Sequence, residues 1–233
     1  KFSKNLFIYL ILIALCVFLF FLHPYLAIIM FIAISAFHFG EEHFSEEIKQ
    51  DSFLNNFYYF IYGLIVFGML FYNSKDQLKS IMIDLVGVSI PLNIIEIVLL
   101  ISILLFLLLN VYYALKNCLP LKVIFKEILY LMFLFLVFKT TSLIFGFAIY
   151  FILWHSLPSI LHQVLFISGK VTKLTVLQFV KKALLFWVVS AFGMFLLYFF
   201  TPNLKLFSSS LFAVLFAVTA PHMWVMSVMK SSE

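Results

Sequence analysis

Runs of about twenty apolar residues recur from one end of this chain to the other, and nothing else restricts its folding as much. A helix rising ~1.5 Å per residue needs ~20 residues to cross a hydrocarbon layer of ~30 Å, and in lipid it satisfies its own backbone hydrogen bonds. The runs lie at 5–22, 24–40, 54–72, 92–113, 121–138, 141–167, 182–200 and 207–229. They predict an all-α fold, a polytopic membrane helix bundle of about eight transmembrane helices. Of the 233 residues 65% are hydrophobic and 11% charged. Soluble domains run nearer a half and a quarter, so the chain reads as a single integral membrane domain, 1–233, without a soluble part. Segment 77–89 is too short and too mixed to span and is expected as an interfacial or partly buried helix.

The net charge of +5 rests on 15 basic residues, all lysine. Arginine is absent and phenylalanine is abundant, a pattern that AT-rich coding explains without any nucleic-acid partner. The lysines are better read as topology. An even number of spans puts both termini on one side, together with Lys1, Lys4, Lys49, Lys116, Lys122, Lys126, Lys170, Lys173, Lys181, Lys182 and Lys230. The other side keeps Lys75, Lys79, Lys139 and Lys205. The positive-inside rule then makes both termini cytoplasmic, in a cell inner membrane. Cys16 lies in an apolar run and Cys118 in a short loop, which is neither a disulfide framework nor a metal-binding pair.

Against this background the stretch "SAFHFGEEHF" is out of place, because polar groups at membrane depth are costly and tend to mark function. His38, His155 and His222 lie on three spans that enter from the same side. They stand 14, 16 and 17 residues beyond Pro24, Lys139 and Lys205 respectively. At ~1.5 Å per residue these depths agree within ~5 Å, so three imidazoles on three helices can meet at one centre, as a metal or haem site requires. Neutral imidazoles ligate iron, zinc and copper, and three of them leave positions open for a small molecule. Glu42 follows His38 at i+4 and Glu41 at i+3, on the same helix face. His43 points elsewhere unless the chain bends at Gly40. His155 and His162 are nearly eclipsed but ~10 Å apart along the axis, which suits His162 to a supporting role unless Pro158 kinks the helix. Pro221 can bend its helix where His222 projects. His23, at a turn before Pro24, reads as interfacial.

In order and on separate spans, "SAFHFGEEH", "LWHSLPSI" and "APHMWV" resemble the Brp/Blh family of bacterial β-carotene 15,15′-dioxygenases. The resemblance covers roughly residues 31–225. It implies an integral membrane enzyme that cleaves β-carotene with O₂ to two retinals at a non-haem Fe(II), with retinal then passed to a rhodopsin apoprotein. His38 and His155 match the proposed iron ligands, and His222 matches the family's "PHM" motif. Glu42 or His43 would complete the set as a further ligand, and Glu41, Ser159 and His162 would support it. Ser159 stands where some members carry a second histidine. Trp154 and Trp224, each beside a candidate histidine, are expected to line the substrate tunnel. An early Pro-His-Gly-Ala-x-Asp motif has no counterpart before His38, and the expectation is that roughly 30–40 further residues, one span with a histidine, precede Lys1. Two other classes fit the same histidines: a bis-histidine haem protein, and a carotenoid-binding or transport protein without chemistry.

Overall fold

The computed structural model describes residues 2–44, 47–48, 52–88, 91–201 and 203–230. The described residues contain helices and connecting turns but no strand. In chain order the helices are α1 (Phe2–Leu22), α2 (Pro24–Phe44), α3 (Phe53–Asn73), α4 (Lys75–Val86), α5 (Leu92–Leu115), α6 (Leu121–Thr140) and α7 (Leu143–Tyr150). A π-helical turn (Phe151–Ser156) joins α7 to α8 (Leu157–Ser168), and α9 (Lys173–Phe200) and α10 (Leu204–Lys230) follow. The architecture is a helical membrane bundle.

Among the described residues, six helical segments are long and apolar enough to cross a membrane: α1, α2, α3, α5, α7 with α8, and α9. The other two expected spans, α6 and α10, form helices of 20 and 27 residues but are less uniformly apolar. Lys122, Lys126 and Glu127 fall in the first two turns of α6, and the apolar part of α10 is Ser210–Met226. The expected short helix is present as α4, with Leu78 and Met82 buried against the bundle.

Two boundaries differ from the sequence expectation, each for a local reason. Helix α2 runs through Gly40 to Phe44, so Glu41, Glu42 and His43 are helical residues and not part of a loop. Helix α9 begins at Lys173, ahead of the expected 182, because Thr172 and Thr175 form a reciprocal capping box that satisfies its first backbone donors. Lys181 and Lys182 therefore sit inside the helix.

Helix α3 is the hub, packing on α2, α5, α6 and α7. Its approach to α2 is set by two glycines. A Cβ at Gly40 would overlap the Tyr59 backbone, and one at Gly63 the Ala36 backbone. Small residues let membrane helices approach closely and gain dispersion contacts that lipid tails do not supply. Helices α1 and α10 pack together and lean on α2, while α4 lies against α10, α2 and α3. Helix α9 touches α8 and α10 and exposes most of its apolar surface.

Where α3 begins, α5 ends and α6 begins, a seam of paired polar groups crosses the core. Tyr58 donates to Asn110 Oδ1 at 3.0 Å, Tyr62 donates to Glu127 Oε2 at 2.9 Å, and Tyr113 donates to Asn55. Glu127 is 1% exposed. Pairing of this kind is what a buried carboxylate needs in order to be tolerated.

Candidate metal centre

Three helices each contribute one imidazole to a shared point. His38 projects from the last turns of α2, His155 from the π turn, and His222 from α10 immediately after Pro221. One donor atom from each histidine lies within 4.8 Å of the others. The ring centroids are 5.0 Å apart for His38 and His155, 5.5 Å for His38 and His222, and 6.4 Å for His155 and His222. His38 and His155 are buried and His222 is partly so. Residues far apart in sequence meet here because their depths on the helices match.

The π turn has a local cause. Pro158 carries no N–H for the Trp154 carbonyl, so the ordinary i→i−4 pattern cannot continue through it. The helix widens instead, and the Leu157 N–H bonds to the Ile152 carbonyl five residues back. Such single wide turns recur at functional sites. Here one presents His155.

Both nitrogens of His38, Nδ1 of His155 and both carboxylate oxygens of Glu42 are buried without a hydrogen-bond partner. Glu42 Oε2 is in contact with His155 Nδ1, though misaligned for a hydrogen bond, and Glu41 Oε2 is 3.8 Å from His38 Nδ1. Unpaired buried polar atoms cost ~1–3 kcal/mol each, so a cluster of them calls for a ligand. The donor set fits a transition metal. Bonds of ~2.1 Å place neighbouring nitrogens ~3–3.5 Å apart, and the observed spread closes on such a centre with side-chain shifts of about an ångström. Glu42 stands where a carboxylate orients a metal-bound imidazole.

Aromatic rings dry one side of the cluster. Phe39 and Phe151 pack on His155 at centroid distances of 4.9 and 5.1 Å. Phe39 also stacks on Phe67 at 5.6 Å, and Phe151 on Phe147 at 5.6 Å. Phe67 and Phe147 in turn line an apolar cavity of about 720 Å³ enclosed by α2, α3, α4, α5, α7 and α10. A double layer of phenylalanines thus separates this cavity from the histidines.

The family model for beta-carotene 15,15′-dioxygenase matches residues 2–230. The chain belongs to the beta-carotene 15,15′-dioxygenase family. No curated protein and no solved structure gives a significant match.

The other sequence candidates of this family member divide between two places. His43 faces away from the three histidines: its Nδ1 is 3.4 Å from Glu127 Oε2, and its ring packs on Tyr62. Lys126 approaches the other Glu127 oxygen at 3.4 Å. His162 lines a small polar pocket of about 200 Å³ with Glu42, His43, Glu47, Lys126, Trp154 and Pro158. Ser159 is buried and accepts from Gln163 at 3.5 Å. Trp154 lines that polar pocket and lies 5.9 Å from Phe133, and neither it nor Trp224 lines the large apolar cavity. His23 sits at the α1–α2 junction and is exposed.

Glu127 went unnoticed in the sequence, although an acidic residue in an otherwise apolar helix was a usable signal. Phe39 and Phe151 carried none, being two phenylalanines among 32.

Proposed function

We propose that this chain cleaves β-carotene with O₂ to two molecules of retinal, at an Fe(II) held by His38, His155 and His222. The observation that carries the proposal is the convergence of these three histidines, with both nitrogens of His38 and Nδ1 of His155 buried without hydrogen-bond partners, in a member of the beta-carotene 15,15′-dioxygenase family. Fe(II) bound by three imidazoles supplies open coordination positions and redox chemistry toward O₂.

The chain's own residues supply the rest. Glu42 lies against His155 Nδ1 and, once rotated into line, would accept that nitrogen's N–H and leave Nε2 free to ligate. Glu41 stands in a similar position toward His38. Phe39 and Phe151 exclude water from one flank of the cluster, which protects a reactive centre from side reactions. The apolar cavity offers lodging for part of a long polyene entering from lipid. With Phe67 and Phe147 in its wall, it brings the chain up to the phenylalanine layer, whose rings would have to turn aside for a double bond to reach the centre. The lysine distribution supports cytoplasmic termini in an inner membrane, so reporters fused after Lys116 or Lys170 should read as cytoplasmic and one at Lys205 should not.

The test is expression in β-carotene-producing cells, followed by extraction of retinoids and metal analysis of the purified protein. Retinal together with bound iron is expected. Intact β-carotene bound to iron-free protein would instead select the non-enzymatic carotenoid-binding reading, and a Soret band the haem reading.

A further inference from the structure

We infer that the polar pocket formed by Glu42, Glu47, His43 and His162 is the entry site for the divalent metal ion, a way-station between water and the three-histidine centre. The inference rests on the proposed role of that centre. The pocket, of about 200 Å³, opens at the end of the bundle where α2 finishes and α6 begins, and Glu47 at its rim is exposed. Its floor is Glu42, whose side chain is 8% exposed and whose Oε1 has no hydrogen-bond partner. The other oxygen of that carboxylate touches His155 Nδ1. One side chain therefore faces both the pocket and the centre.

The lining suits a cation. Glu42 and Glu47 bring two carboxylates, and His43 and His162 bring two imidazoles. Lys126, which also lines the pocket, has its charge offset by Glu127 at 3.4 Å. On the opposite side, among the described residues, the phenylalanine layer and the apolar cavity would have to strip the ion of water without replacing it. His162 lies seven residues beyond His155 on one continuous helical segment, ~10 Å along the axis, too far to share a ligand set but well placed as an earlier stop. A carboxylate-lined mouth with low-dielectric walls focuses the field and raises the on-rate of a cation by 10-fold or more.

The experiment measures uptake of Fe(II) by metal-stripped full-length protein under anaerobic conditions, with samples quenched by chelator at timed intervals and iron counted per chain. Glu47→Gln, His162→Gln and the double variant are compared with the parent, and Asp84→Asn on α4 serves as a charge control outside the pocket. The double variant is expected to load about tenfold more slowly yet reach the parent's final iron content, and added salt should slow the parent more than the double variant. Asp84→Asn should load at the parent rate. Loading of the double variant at the parent rate overturns the entry site while leaving the three-histidine centre standing. A parent that binds no Fe(II) at all overturns the centre itself, and the entry site with it.

Discussion

Two buried polar clusters lie within a few side chains of each other in this bundle, and they differ in one respect. Around Glu127 most partners are supplied: Tyr62 and His43 approach one carboxylate oxygen, Lys126 the other, and Tyr58 and Tyr113 find Asn110 and Asn55, with His43 Nε2 alone of these groups left unpaired. Around His38 and His155 they are withheld, and Glu42 contributes two more unpaired oxygens. Both clusters lie among apolar helices, where each unpaired group costs free energy. The first reads as a set of cross-links between α3, α5 and α6. The second reads as a receptor whose missing partners come from outside the chain. Adjacent histidines separate the two: His38 belongs to one and His43 to the other, with a single turn of α2 between them.

Substitutions should divide along the same line, and the largest effects belong to the unsatisfied cluster. His38→Ala, His155→Ala and His222→Ala should each lower retinal formation more than ~100-fold and release iron, since loss of even a supporting partner commonly costs 10–100-fold in metal affinity. His23→Ala, at the exposed junction, should leave both unchanged. Retinoid extraction and iron counting on the same preparations check this. Near-parental activity in His155→Ala would remove the distinction between the two clusters.

The next effect belongs to the satisfied cluster and should appear in stability. Glu127→Ala strips Tyr62 and His43 of their acceptor, and a buried donor left unsatisfied costs ~1–3 kcal/mol for each of the two groups. A lower thermal midpoint with unchanged iron per folded chain is expected. Glu42→Gln should do the opposite, weakening iron binding by about 10–100-fold with little change in midpoint. The pair of midpoints and iron contents sharpens the comparison, and coincident behaviour would erase it.

Smaller again is the effect of the helix contact that carries His38. Gly63→Ala drives a methyl into the Ala36 backbone, which only a separation of α2 from α3 relieves, at a cost of ~1–3 kcal/mol or more. Because α2 carries His38 and Glu42, part of the loss should appear as weaker iron retention, measured by chelator challenge. Trp154→Phe should change β-carotene turnover least, since Trp154 lines the polar pocket and not the apolar cavity.

The sequence disclosed the bundle and its three convergent histidines through properties that survive without coordinates: run length, lysine placement and depth along a helix. It left open rotation about the helix axis and continuity past Gly40. His43 was a candidate fourth donor because "HFGEEH" reads as a cluster on paper, and the unbroken α2 helix turns it to Glu127. Trp154 was expected to line the substrate tunnel because it neighbours His155; adjacent residues on a helix point ~100° apart, and Trp154 lines the polar pocket. The π turn was anticipated only as a bend at Pro158, since a wide turn has no sequence signature beyond its proline. Gly40 and Gly63 look like ordinary glycines until the partner backbone is in view.

Iron per chain, measured on purified parent protein and on the His38→Ala/His155→Ala/His222→Ala triple variant after identical anaerobic loading, tests the central claim most directly. The account predicts about one Fe(II) per parent chain and none retained by the triple variant at an unchanged helical content, a single centre with three protein nitrogens. Equal iron in both proteins, or none in the parent, would contradict it.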